Sequence, residues 1–146
     1  MTAYAGSSAL AAQTVVVQLV NGRNDKAVGK GEAVHVVFNT GAIRHLLNLH
    51  TNAQGEVEFD AQGATEFKVM PVEYAPCDQP SSAVQAVYSV AEVTNDGLVT
   101  FNDCAQLSRQ PVPGRLIYFV KPDSRWERTK KSLDWDNTNG HFSQYW

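Results

Sequence analysis

Short apolar runs cut by turn residues dominate the chain between residues 14 and 122. Residues 14–20 read TVVVQLV, dense in β-branched side chains, and Asn21-Gly22 follows as a turn signal. Residues 33–38 (AVHVVF) form a second run. In residues 44–50 (RHLLNLH), Leu47 and Leu49 alternate with polar neighbours. Val57 and Phe59 alternate with acids in residues 56–60 (EVEFD), the pattern of a half-buried strand. Phe67 and Val69 repeat it within residues 65–72 (TEFKVMPV), which puts Lys68 on the water side. Further runs cover residues 83–93 (AVQAVYSVAEV), 98–102 (LVTFN) and 115–121 (RLIYFVK). Gln54-Gly55, Gln62-Gly63, Asp96-Gly97 and Pro113-Gly114 punctuate them.

About eight such runs with short connections leave no room for repeated crossover helices. The pattern predicts an all-β domain over residues 14–122, an antiparallel Ig-like sandwich of about seven strands. A closed barrel is the competing architecture, because periodicity does not count sheets. Residues 1–13 are expected to be a flexible leader. Residues 123–146 change character. Trp126, Thr129 and Leu133 fall at helical spacing, with Ser124 as candidate N-cap and Glu127 three residues on. A short C-terminal helix followed by an aromatic tail is predicted there.

Charge narrows the function classes. The 146 residues carry a net charge of −3, and the acidic excess lies before residue 121. Nucleic-acid binders concentrate positive charge on one face, so this balance argues against a nucleic-acid partner. No apolar run reaches the roughly 18 residues of a membrane span. The N-terminus has no Lys or Arg before Arg23 and no long apolar stretch, so it reads as an Ala/Ser leader. Ala9-Leu10-Ala11 has the small-x-small form of a cleavage site, and a trimmed signal is the second reading. Cys77 and Cys104 admit two states: a disulfide in an oxidising compartment, or two buried thiols.

Candidate chemistry is sparse. His45 and His50 lie five apart on one strand and point to opposite faces; His35 sits between valines and His141 lies in the tail. No spacing demands a metal site or another cofactor. Glu56, Glu58 and Asp60 share a strand face, as an acid–base pair requires and as any solvated face also supplies. No G-x-S-x-G is present, and Cys77 follows a proline without a neighbouring base. Asp134-x-Asp136-x-Thr138 opens like a calcium loop, but Asn139 and Tyr145 occupy its glycine and glutamate places. Trp126, Trp135, Phe142, Tyr145 and Trp146 crowd the tail. Such rings either dock the tail onto the domain, bind a protein or glycan, or attach to a membrane surface beside the basic stretch.

Three stretches carry a family resemblance. VVVQLVNGRNDKAVGKGEAVHVVF is strand, turn, small-residue loop, strand. HTNAQGEVEFDAQGATEFKVMPVEY contains a Thr-x-x-x-Gly-x-Val-x-Phe unit leading into F-x-V-x-P-x-x-Y. Together they resemble carboxypeptidase-regulatory-like and prealbumin-like (transthyretin-like) β-sandwich modules of bacterial secreted or envelope proteins. GLVTFNDC and PGRLIYFVKPDSRWER are similar to the end of bacterial secreted proteins that carry such a module. The resemblance implies a non-catalytic accessory or adhesion element, secreted or periplasmic, with a protein or glycan partner at the cell envelope and scope for self-association. Transthyretin-like hydrolases end in Tyr-Arg-Gly-Ser where this chain ends SQYW, which weakens that enzymatic branch. Isopeptide-forming relatives need a buried Lys, and a water-facing Lys68 would not serve. A carbohydrate-binding module using tail or sheet aromatics is the alternative, and a small hydrolase using His45 or His50 with an acid a remoter one.

Overall fold

The computed structural model describes residues 13–77 and 87–122. The elements run β1 (Thr14–Asn21), β2 (Lys26–Ala27), β3 (Ala33–Thr40), β4 (Ile43–His50), β5 (Glu56–Asp60), β6 (Glu66–Pro71), β7 (Tyr74–Pro76), β8 (Val87–Ser89), α1 (Val90–Asn95), β9 (Leu98–Val99) and β10 (Arg115–Pro122). The predicted leader, C-terminal helix and aromatic tail lie outside the described residues, except for Gln13. Its backbone N–H donates to the Asp60 carboxylate at 3.1 Å.

Two sheets form. In the first, β1 and β10 lie side by side at the centre; β5 and β2 share the far edge of β1, and β9 and β7 share the far edge of β10. The second sheet has the order β4-β3-β6-β8, antiparallel throughout. The predicted β-rich class holds. The first sheet, however, is mixed, because β10 runs parallel to both β1 and β9. Parallel neighbours need a long return path. Residues 100–114 supply one between β9 and β10 without a helix. Between β1 and β10 the return path is the rest of the domain.

The alternation along each strand explains the core. Val15, Val17 and Leu19 of β1 and Leu116, Tyr118 and Val120 of β10 face Val34, Val36 and Phe38 of β3 and Phe67 and Val69 of β6 in one buried cluster. A chain of rings crosses between the sheets: Phe38 to Phe59 at 5.6 Å, Phe59 to Phe67 at 5.4 Å, Phe67 to Tyr88 at 5.8 Å and Tyr88 to Tyr118 at 6.0 Å. Burying such rings supplies much of the apolar driving force.

Two expectations are corrected. The run at residues 83–93 is not one strand: its described part is β8 and then α1. Ser89 accepts a hydrogen bond from the Glu92 N–H at 3.2 Å, an N-cap that competes with the extended chain. The helix ends where the Gly97 N–H donates to the carbonyls of Glu92 and Val93, at a glycine with φ of 79°. Lys68 is not water-facing but 8% exposed. It points away from the core as alternation requires, yet it is buried there, while Leu46 and Val87 on the same face stay exposed. Its cross-strand neighbours are Val37 and Val87, and Val37 clusters with Met70 in a small buried patch. Burial and the nearby Arg44 charge push the Lys68 ammonium below its usual pKa, opposed by Glu66.

Candidate functional site

The outer face of the first sheet carries a second apolar cluster. Val20, Ile117 and Phe119 pack there with Cys77, and Val99 and Cys104 pack against them. Cys77 and Cys104 are joined in a disulfide, with Cα atoms 5.4 Å apart. Of the two states left open by the sequence, the bonded one is therefore present. The bond anchors the segment after β9, whose local sequence has no regular pattern to hold it.

Asn102 is the other anchor. Its side-chain amide donates to the Gly22 carbonyl at 2.9 Å and the Leu107 carbonyl at 3.2 Å, while its oxygen accepts from the Cys104 N–H at 3.0 Å. Thr100 adds two ties: its N–H donates to Ile117, and its hydroxyl accepts from the Phe119 N–H, both at 2.9 Å. Gly22 makes room for all of this. A Cβ there would lie 2.4 Å from Asn102 Oδ1 and 2.6 Å from Cys77 Sγ. The Asn21-Gly22 pair does introduce a turn, closed by the Asp25 N–H on the Asn21 carbonyl at 2.8 Å. Gly22 itself serves close approach rather than a left-handed backbone.

Between this segment and the sheet lies a groove of about 850 Å³. Phe119 and Val99 line it below, and Phe101, Asp103, Gln106 and Ser108 line it along the segment. Beside it, Arg109 holds Asp25 through a 2.8 Å ion pair and donates to the Asp25 carbonyl at 3.0 Å. Nothing in the local pattern of residues 98–110 predicts the groove; only the cysteine pair hinted that the segment would be tied down.

The second exposed feature is β4, at the edge of the second sheet. Leu47 and Leu49 pack against the core, while Leu46 stands 43% exposed on the opposite face and Ile43 62% exposed at the strand's start. Among the described residues only β3 pairs with β4, along all eight residues.

The predicted catalytic candidates are placed as follows. His45 faces inward, stacked on Phe38 at 4.8 Å and bonded to the Thr40 hydroxyl at 2.7 Å. His50 is exposed on the other face of β4, and His35 lies on β3 opposite Asn48 and Met70. The acids of β5 share a face, with separate tasks. Glu56 accepts from Arg115 and from Asn52, and Arg115 holds its carboxyl below the usual range. Asp60 caps the following turn through the Gln62 N–H at 2.9 Å. Among the described residues, no three His, Cys, Asp or Glu side chains come together as a metal-binding group. No described helix is long and apolar enough to cross a membrane. His141 and the predicted partner-binding residues Trp126, Trp135, Phe142, Tyr145 and Trp146 lie outside the described residues. A scan of protein-family models finds no match to this chain, and a search of curated proteins finds none.

Proposed function

We propose that this chain is a non-catalytic interaction or structural module of an exported bacterial protein, built as a prealbumin-like β-sandwich and acting by surface binding or assembly. The carrying observation is how its side chains are committed. Asn102, Thr100, Asp60 and Glu56 are bound to backbone or to a fixed ion-pair partner. Meanwhile Ile43 and Leu46 are presented on an eight-residue edge strand. A long edge strand with exposed apolar side chains is a template for another strand. β4 contains no proline, and Arg44 is its one formal charge.

Export is supported by the disulfide, which persists in oxidising compartments. Both cysteines should resist thiol reagents in native protein purified without reductant; two reactive thiols would argue against export. Light scattering of the full chain over a wide dilution series tests assembly. The mass should rise with concentration, and Ile43→Lys with Leu46→Lys should restore the monomer. A monomer at every concentration would remove assembly through β4.

A further inference from the structure

The groove on the outer face of the first sheet is a separate feature, on the other layer from β4. We propose that it binds a neutral saccharide, with Phe101 as the stacking platform and Asp103, Gln106 and Ser108 as the hydroxyl-reading groups. This places sugar recognition within the folded domain, on residues distinct from the aromatic tail.

Phe101 is 70% exposed, the most exposed of the large hydrophobic side chains described. Exposing a phenylalanine is costly, and a flexible loop would let the ring turn inward. Here the backbone that carries it is tied on both sides. Thr100 before it is tied to Ile117 and Phe119, and Asn102 after it is tied to Gly22, Leu107 and Cys104. The backbone on both sides is thus held while the ring stands out. An exposed, flat apolar face on an anchored backbone suits the C–H face of a pyranose ring.

The polar lining fits the same ligand. The Asp103 carboxylate, the Gln106 amide and the Ser108 hydroxyl line the groove and make no side-chain hydrogen bond among the described residues. A planar acid, a planar amide and a hydroxyl together supply the acceptors and donors that vicinal sugar hydroxyls need.

Charge and shape exclude the main competitors. Among the described residues, the lining contains no Lys, Arg or His, and Asp103 is its one formal charge, which disfavours phosphate, sulfate or nucleic acid. One carboxylate is too few for a cation site. A lipid chain needs an enclosed apolar pocket, and this lining mixes polar and apolar side chains. An added β-strand needs a free ladder edge, whereas the N–H groups of Thr100, Asp103 and Cys104 are already bonded. The volume falls within the range of small-molecule sites.

The test is an amide NMR titration of the full, disulfide-bonded chain. The probes are short cello-, malto-, xylo-, manno- and chito-oligosaccharides, with inorganic phosphate and a Gly–Ser peptide as controls. At least one neutral oligosaccharide should shift the amides of residues 99–108 saturably. Phe101→Ala should weaken that binding roughly tenfold, with the melting temperature unchanged. Phe101→Trp should retain it. Gln106→Ala should weaken it roughly fivefold. Ile43→Lys with Leu46→Lys should leave it untouched, which separates this site from the assembly edge. Absence of saturable shifts at residues 99–108 with every saccharide would overturn the proposal. So would equal affinity in Phe101→Ala, or saturation by the phosphate or peptide control instead.

Discussion

On the outer face of β1 and β10, an irregular segment is held by a disulfide, an asparagine with three hydrogen bonds and a threonine with two. Along β4, eight regular residues are held on one side by their neighbour β3 and leave Ile43 and Leu46 uncovered. A segment without ladder bonds must satisfy its backbone groups one by one, so each anchoring side chain matters individually. A strand within a ladder shares its stability among many equivalent bonds, and on β4 Ile43 and Leu46 stay exposed beside that ladder. The first surface should be easy to break and rigid in use. The second should tolerate substitution and change only what it associates with.

The largest effect should come from replacing Cys77 and Cys104 together by serine. The bond spans 27 positions, and opening it should cost about 3–4 kcal/mol by the chain-entropy account, read as a drop in urea midpoint. Gly22→Ala comes next. Its Cβ would displace Asn102 and the disulfide sulfur, and about 2–3 kcal/mol of destabilisation is expected in the same experiment. Asn102→Ala should cost about 2 kcal/mol, since the Gly22 and Leu107 carbonyls and the Cys104 N–H each lose a partner.

Glu56→Gln is smaller, about 0.5–1 kcal/mol at neutral pH, because the Arg115 pair is partly exposed. Its pH dependence has a definite sign. The folded-state pKa of Glu56 is lowered, chiefly by the hydrogen bond from Arg115, so its stabilisation is complete above the ordinary carboxylate value. That contribution disappears as pH falls through the lowered folded-state value. Parent and variant melting curves should therefore converge in acid; a constant gap would mean another group is responsible. Ile43→Lys with Leu46→Lys should change stability by no more than about 0.5 kcal/mol while abolishing assembly. If it costs as much as Gly22→Ala, the β4 surface is structural and the contrast with the disulfide-bound face collapses.

Most strands were legible because their signal is local. Val57 and Phe59 alternating with Glu58 and Asp60 mark β5 from its own five residues, β4 and β6 show the same alternation, and β1, β3 and β10 stand out as dense apolar runs. The run at residues 83–93 was harder, since a short apolar run suits a strand or a helix. Ser89 three residues before Glu92 was the missed sign of the helix start. The two-residue strands β2 and β9 are too short to show any period.

Sequence by itself determined the β-rich class, the faces of the alternating strands and the identity of the only cysteines able to pair. Tertiary structure alone decided that β10 lies parallel to β1, that Lys68 points outward yet is covered, and that Gly22, Cys77 and Asn102 meet to hold the groove. Period-two alternation is written within five or six neighbouring residues. The meeting of Gly22 with Asn102, 80 positions apart, depends on how whole sheets stack, and no local window contains it.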